Sequence, residues 1–189
     1  MLDASDLRKG LKIEMDGEPY IVTEFDFCKP GKGQALYRCR LKNMISGGTV
    51  DKTFRSVDKI GKADLEEKEL HFSYEEGNGI YIFFDPATND EVRIDEKLLG
   101  DSKYFLDDDM VCAILFYRER AIEITLPFFV EKKIAETEPG ARGDTATNVT
   151  KPAKIDNGYE IQVPLFVNVG DTVRIDTRTG NYADRVSKA

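Results

Sequence analysis

The chain has no tryptophan, one histidine and three cysteines among its 189 residues, and each shortage excludes a class of chemistry. Cys28, Cys39 and Cys112 lack the close ligand pairs of a zinc site. Their odd number fits reduced structural thiols better than a disulfide framework. His71 stands in the apolar segment Leu70-His71-Phe72, which fits a half-buried strand position rather than catalysis. Long apolar runs are missing too. The longest, Met110–Tyr117, is too short to cross a bilayer as a helix, so no membrane partner is expected. The opening residues Met1-Leu2-Asp3-Ala4-Ser5-Asp6 contain no basic segment followed by an apolar stretch, so a secretion signal is not expected and a cytoplasmic location is. No GxxxxGK[ST] frame is present, so nucleotide hydrolysis is not indicated. Asp107-Asp108-Asp109 is followed by no spaced set of further ligands and reads as an acidic turn rather than a cation site. The expectation is a protein that is not an enzyme and carries no metal or cofactor.

What is present reads as β-structure from end to end. A hydrophobic content of 41% supports packed cores, and β-branched and aromatic runs alternate with Gly, Pro, Asn and Asp clusters. In the first third, strands are expected at Leu11–Met15, Tyr20–Phe27, Leu36–Leu41 and Thr49–Phe54, with Asp16-Gly17 as a two-residue hairpin turn. Lys59-Ile60-Gly61-Lys62 reads as a short connector. The middle third offers strands at Leu70–Tyr74, Ile80–Phe84, Glu91–Ile94, Met110–Tyr117 and Ala121–Leu126, and one helical turn over Asp95–Leu99 stopped by Gly100. The last third has Val130–Thr137, a long loop from Pro139 to Thr150, then Tyr159–Val167, Asp171–Asp176 and Tyr182–Val186. Three consecutive small β-barrels follow, with domains at 1–63, 64–128 and 129–189, an arrangement that more often binds than catalyses.

Charge is distributed unevenly over these thirds. The net charge is −8, but residues 1–62 hold 12 Lys and Arg against 9 Asp and Glu, while residues 63–128 hold 6 against 17. The remaining residues, 129–189, hold 9 of each. The overall acidity therefore does not exclude a nucleic-acid partner, because the location of basic charge decides that.

Within the basic third, Lys29-Pro30-Gly31-Lys32-Gly33-Gln34-Ala35 separates two strand-like runs. Lys32 is therefore expected at the tip of a β-hairpin, between glycines that permit close approach of the backbone to a partner. Turn chemistry alone also favours Gly, Pro and Lys at such a place. Behind the tip, Arg38, Arg40 and Lys42 share one strand face by their spacing of two. A basic strip leading to a projecting lysine suits an RNA backbone, and a solvated sheet face has the same composition.

The chain resembles the bacterial translation elongation factor P family along essentially its whole length. Lys29–Ala35 resembles the family's modified-lysine loop. Residues 151–170, KPAKIDNGYEIQVPLFVNVG, fit the family signature K-x-A-x4-G-x2-I-x-V-P-x2-V-x2-G at every fixed position. Asp176–Val186 resembles its usual C-terminal strand pair. The resemblance implies an all-β fold with an SH3-like (KOW-type) N-terminal domain followed by two OB-fold domains in an elongated L. It implies ribosome binding beside peptidyl-tRNA, relief of stalling at consecutive prolines, and Lys32 as a site that a lysine-modifying enzyme lengthens, for example by β-lysylation. By the same likeness Lys29, Pro30, Gly31, Lys32 and Gly33 face the tRNA CCA end, with Arg38 and Arg40 behind them. Gly143, Asp144 and Thr145 belong to the loop approaching mRNA at the exit-site codon, and Tyr182 and Arg185 lie near tRNA or the small subunit. A monomer is expected, and the acidic middle third suits a basic ribosomal protein. A different class of function, a general single-stranded RNA-binding OB-fold protein acting off the ribosome, is also compatible with the residues.

Overall fold

Strand-forming runs separated by turns build three antiparallel sheets in chain order. The structure is a computed structural model, and it describes residues 1–31, 33–140 and 149–189. The first sheet contains β1 (Leu2–Asp3), β2 (Lys12–Met15), β3 (Glu18–Cys28), β4 (Leu36–Asn43), β5 (Thr49–Arg55) and β6 (Lys59–Lys62), ordered β1-β6-β2-β3-β4-β5. The second contains β7 (Leu65–Gly77), β8 (Ile80–Phe84), β9 (Glu91–Asp95), β10 (Val111–Tyr117) and β11 (Arg120–Thr125), ordered β11-β10-β7-β8-β9. The third contains β12 (Phe129–Thr137), β13 (Thr150–Ile155), β14 (Glu160–Pro164), β15 (Thr172–Asp176) and β16 (Asn181–Ser187), ordered β14-β13-β12-β15-β16. Helical structure among the described residues is confined to α1 (Glu96–Leu99) and short 3-10 segments at Ala4–Asp6 and Gly100–Phe105. Among the described residues no helix is long and apolar enough to cross a membrane.

Local chemistry explains the turns. Asp16 and Gly17 join β2 to β3 with φ of 54° and 79°, the two positive values that a twist-matched two-residue hairpin requires. Asp95 caps α1 by accepting from the Lys97 N–H, and Gly100 ends it at φ 53°. Two segments differ from expectation. Lys59–Lys62 is a strand rather than a connector, pairing through Leu2↔Ile60 on one side and Ile13↔Lys62 on the other. Thr150–Ile155, placed partly in a loop, is a strand between β12 and β14.

Each sheet buries alternate residues. In the first, Ile13, Val22, Cys39, Leu41, Phe54 and Ile60 form a core closed by Ala4 and Leu7 from the 3-10 turn. Phe83 and Phe105 are the largest fully buried side chains around the second, and Ile134, Ile155 and Ile175 fill the third. Full burial of one such side chain contributes about 1.5–3 kcal/mol. Sheets of this size bury a modest fraction of their surface, so contacts at their flanks weigh heavily.

The chain forms two compact units, residues 1–68 with 114–123 and residues 69–113 with 124–189. In the first, Leu115, Tyr117 and Ile122 pack with Met44, Ile45 and Leu65. The Tyr117 hydroxyl donates to Glu14 and lies equally within reach of the Gly17 carbonyl, both at 2.9 Å. Arg118, held at φ 47°, pairs with the same Glu14 carboxylate at 3.0 Å and stacks over the Tyr117 ring. In the second unit the buried Lys132 Nζ reaches the Asp107 carboxylate, and Tyr159 stacks on Tyr104 and meets Phe105 edge-on.

Replacing Tyr117 by Phe removes a hydrogen bond to a charged group at little change in shape. The variant should lose about 1–2 kcal/mol, read in urea as a lower midpoint at unchanged slope. A midpoint equal to the parent's would show that the hydroxyl does not hold β10 to the β2–β3 turn.

Candidate nucleic-acid interface

The β3–β4 hairpin runs well past the core. Its last fully enclosed β3 residue is Val22, and Glu24, Phe25, Asp26 and Phe27 are all exposed. The ladder shifts register between Val22 and Glu24, a bulge that bends the ribbon where the core ends. Thr23 secures the bend by donating from its hydroxyl to the Arg40 carbonyl at 3.0 Å. Pairing then resumes through Phe25↔Cys39, Asp26↔Arg38, Phe27↔Tyr37 and Cys28↔Leu36. On one face Tyr37 lies 5.1 Å from the Phe27 ring and 6.3 Å from the Phe25 ring. Aromatic contacts of this kind stiffen a ribbon that has no core beneath it.

The opposite face carries the charges. Arg38, Arg40 and Lys42 are exposed and alternate with buried Cys39, Leu41 and Asn43, so they share one face as their spacing requires. The strip is not uniformly basic, however. Arg40 pairs with Asp51 at 3.0 Å and Glu24 at 3.2 Å, and the Asp51 contact raises its already high pKa. Arg38 stands opposite Asp26 in register; among the described residues Arg38 and Lys42 form no ion pair. Of the three strand-face cations, Arg40 alone is thus held by carboxylates among the described residues. The connector of residues 29–35 adds cations without carboxylates, and its described members Lys29, Pro30, Gly31 and Gly33 are exposed. Lys32 lies outside the described residues.

The other expected site residues belong to the last third of the chain. Gly143, Asp144 and Thr145 lie outside the described residues. Tyr182 is half-buried opposite Ile175, and burial raises its pKa. Arg185 is committed internally: its guanidinium donates to the Phe166 carbonyl at 3.2 Å and to Asp171 at 3.3 Å, and it stacks 4.7 Å over the Phe166 ring. Asp171 is buried and also accepts from the Asn168 and Ala189 N–H groups. Those hydrogen bonds, with Arg185, hold its carboxyl below the usual carboxylate range. His71 pairs with Asp109 at 2.7 Å. With Asp107 engaged by Lys132, two members of the acidic turn serve as structural partners. A pair of exposed aromatics escaped the sequence reading: Phe128 and Phe129, under the guanidinium of Arg178 at 4.7 and 6.0 Å. Only the i, i+1 aromatic pair next to Pro127 marked it.

Three family models cover nearly the whole chain. The elongation factor P KOW-like domain matches residues 3–60, the elongation factor P OB domain matches 65–124, and the elongation factor P C-terminal domain matches 130–185. The chain belongs to the translation elongation factor P family. Elongation factor P of Desulfotalea psychrophila is 50% identical, with all of both chains covered. Elongation factor P 2 of Geobacter sulfurreducens is 45% identical over 98% of this chain and 99% of that one. Among solved structures, translation initiation factor 5A from Methanococcus jannaschii matches 66% of this chain and 93% of its own with a TM-score of 0.56. At 16% identity that likeness speaks for the fold alone. The family's C-terminal signature proves to be packing. Lys151, Ala153, Ile161, Val163 and Val167 are all buried, and Gly158 and Gly170 take the positive φ of turns.

Asp171 is the polar centre of this region. Its depressed pKa means that the ionised form stabilises the fold above the unfolded value near 4 and that this contribution fades as pH falls through the folded value. Asp171→Asn should cost about 1–3 kcal/mol at pH 7, and the difference from the parent should shrink in acid denaturation series below pH about 4. A difference independent of pH would mean that shape, not charge, holds Arg185 and the C-terminal residues.

Proposed function

We propose that the protein promotes peptide-bond formation at consecutive prolines by positioning the CCA end of peptidyl-tRNA on the ribosome through the Lys32 loop. The observation that carries this reading is full-length membership of the elongation factor P family together with a stiffened two-stranded stem that leads to the exposed connector of Lys29, Pro30 and Gly31. Proline is a sterically restricted partner in peptide transfer, so the difficulty is alignment, and fixing reactants in near-attack geometry can supply several kcal/mol. A gain of about 100-fold needs only about 2.7 kcal/mol. The protein acts here as a positioning factor, not as an enzyme with its own chemical centre. Lys32 is the residue to be lengthened by a modifying enzyme, and the cytoplasm is where ribosome and factor meet.

The matched ranges support three domains at 1–63, 64–128 and 129–189. Gly143, Asp144 and Thr145 reach toward mRNA at the exit site, and the acidic middle domain faces a basic ribosomal protein. Lys29 and Arg38 contact the tRNA backbone. Arg40 and Arg185 shape the surfaces that bear these contacts, since each is already bound to carboxylates.

Lys32→Ala should cut synthesis from a Pro-Pro-Pro reporter by about tenfold or more, equivalent to at least 1.4 kcal/mol of barrier, while a reporter without prolines is unaffected. Equal rescue by variant and parent would overturn the reading, and so would equal loss in both reporters. Intact mass with peptide mapping of protein from its native source should place an added mass on Lys32.

A further inference from the structure

The outer strand of the first sheet carries main-chain groups that the sheet itself does not use. Among the described residues β5 pairs with β4 alone and ends the strand order, and every residue in it except Phe54 is exposed. The phase of the ladder decides which groups point outward. At the β4–β5 turn the Asn43 N–H donates to the Gly48 carbonyl at 2.8 Å. Bonded pairs alternate in an antiparallel ladder, so Leu41↔Val50, Cys39↔Lys52 and Tyr37↔Phe54 are the pairs that exchange hydrogen bonds. Thr49, Asp51 and Thr53 lie between them and turn their N–H and C=O groups away from β4. The far end has the same phase: Arg55 belongs to the outward set, and Asp58 takes its N–H at 2.7 Å and its carbonyl at 3.0 Å. Thr49, Asp51 and Thr53 have no such partner among the described residues.

Side chains beside this edge differ between its two faces. The pairs Lys42↔Thr49, Arg40↔Asp51 and Arg38↔Thr53 put the outward residues of β5, Arg55 included, on the face that bears the β4 cations. Carboxylates of that face are engaged or lie inward. Asp51 and Glu24 hold Arg40, and Asp26 stands on the side of Arg38 away from β5. Arg38, Lys42 and Arg55 are exposed and form no ion pair among the described residues. On the other face Val50 is exposed, and Lys52 adds an aliphatic stem with its charge in water. One face therefore seeks carboxylates, and the other accepts aliphatic groups.

We propose that β5 receives an extended peptide strand of alternating acidic and aliphatic residues, paired antiparallel to it. A strand added to an open sheet edge gains affinity from main-chain hydrogen bonds and specificity from its alternate side chains. Charges along an edge keep unrelated strands from pairing with it, and cations there select an acidic one. A nucleic-acid backbone fits less well, because its phosphates cannot satisfy the carbonyls that alternate with the N–H groups. A second copy of this chain is disfavoured, since it would bring Lys52 and Arg55 to both sides of the seam. The site goes beyond the positioning role and shares only Arg38 with it.

The test uses the full chain and a fluorescein-labelled heptapeptide of alternating glutamate and valine, followed by anisotropy. In antiparallel pairing the residues opposite Thr49, Asp51 and Thr53 share their face and exchange hydrogen bonds with them, so these are the glutamates. N-methylation of the glutamates should abolish binding, whereas N-methylation of the valines should leave it intact. Thr53→Pro removes one outward N–H and spares the β4 ladder; it should weaken binding by about tenfold, equivalent to about 1.4 kcal/mol. Lys42→Gln/Arg55→Gln changes the charged face without touching the backbone and should weaken binding by a similar factor. The control Lys133→Gln/Lys188→Gln removes the same charge from exposed positions in the last third of the chain and should not. No binding of the unmethylated peptide, any other pattern between the methylated peptides, or full binding in both edge variants would overturn the proposal. So would displacement of the peptide by an oligouridylate of equal charge as readily as by unlabelled peptide, or a dimer of the free chain that Thr53→Pro dissolves. Because the readout is peptide binding, the outcome of Lys32→Ala in the proline reporter neither supports nor removes this site.

Discussion

Backbone pairing between β3 and β4 continues from Tyr20↔Asn43 through Cys28↔Leu36, and the placement of the exposed residues Lys29, Pro30 and Gly31 depends on it. A lone two-stranded ribbon is marginally stable in water. Here β5 runs alongside as far as Leu36↔Arg55, so the projecting part is three strands wide on one side. The Phe25–Tyr37–Phe27 cluster covers one face, and the Glu24–Arg40–Asp51 network covers the other. These are modest interactions taken singly. Surface ion pairs contribute about 0–1 kcal/mol and cross-strand pairs about 0.2–1 kcal/mol each. Together they are the means by which a small core extends order beyond itself.

That arrangement gives charge two separate tasks. Along the stem, Glu24 and Asp51 hold Arg40 across strands and fix its geometry, while Arg38 and Lys42 on the same face form no ion pair among the described residues. At the connector the exposed Lys29 forms no ion pair among the described residues. The positive balance of residues 1–62 is therefore shared between the connector and the exposed strand face that carries Arg38 and Lys42. The same distinction applies in the third sheet. Arg185 and Asp171 neutralise each other in a half-enclosed setting, and that pair organises Phe166 and the C-terminal residue instead of projecting charge.

Most of the strand pattern was readable because its signals are local. Asp16-Gly17 and the Asp95 cap announce their turns in two or three residues. What escaped depended on partners distant in sequence. Gly61 looks like a breaker, yet a side chain there would meet the Glu14 carbonyl at 2.8 Å; glycine is what allows β6 to lie against β2. Pro152 argues against an interior strand. It is tolerated because β12 pairs with β13 only as far as Thr137↔Ala153, so on that side no N–H is wanted. Side-chain roles were harder still. Spacing placed Arg38, Arg40 and Lys42 on one face, but it could not reveal that Glu24 and Asp51 come from two other strands to occupy Arg40. Lys132 and Lys151 point inward in otherwise apolar alternations, and their acceptors, Asp107 and the Glu138 carbonyl, are 25 and 13 residues away.

The residues that reveal the family and the residues that would carry its function are therefore governed by different constraints. The C-terminal signature is packing and turn geometry: a buried Lys151 bound to a backbone carbonyl, a row of inward aliphatics, and glycines at positive φ. Any substitution there is opposed by the lost burial of neighbours, so the pattern stays legible over a long stretch. Gly31 in the connector is under no such packing constraint; a Cβ there would meet nothing within 4 Å. A position without neighbours is free to vary unless something outside the chain contacts it.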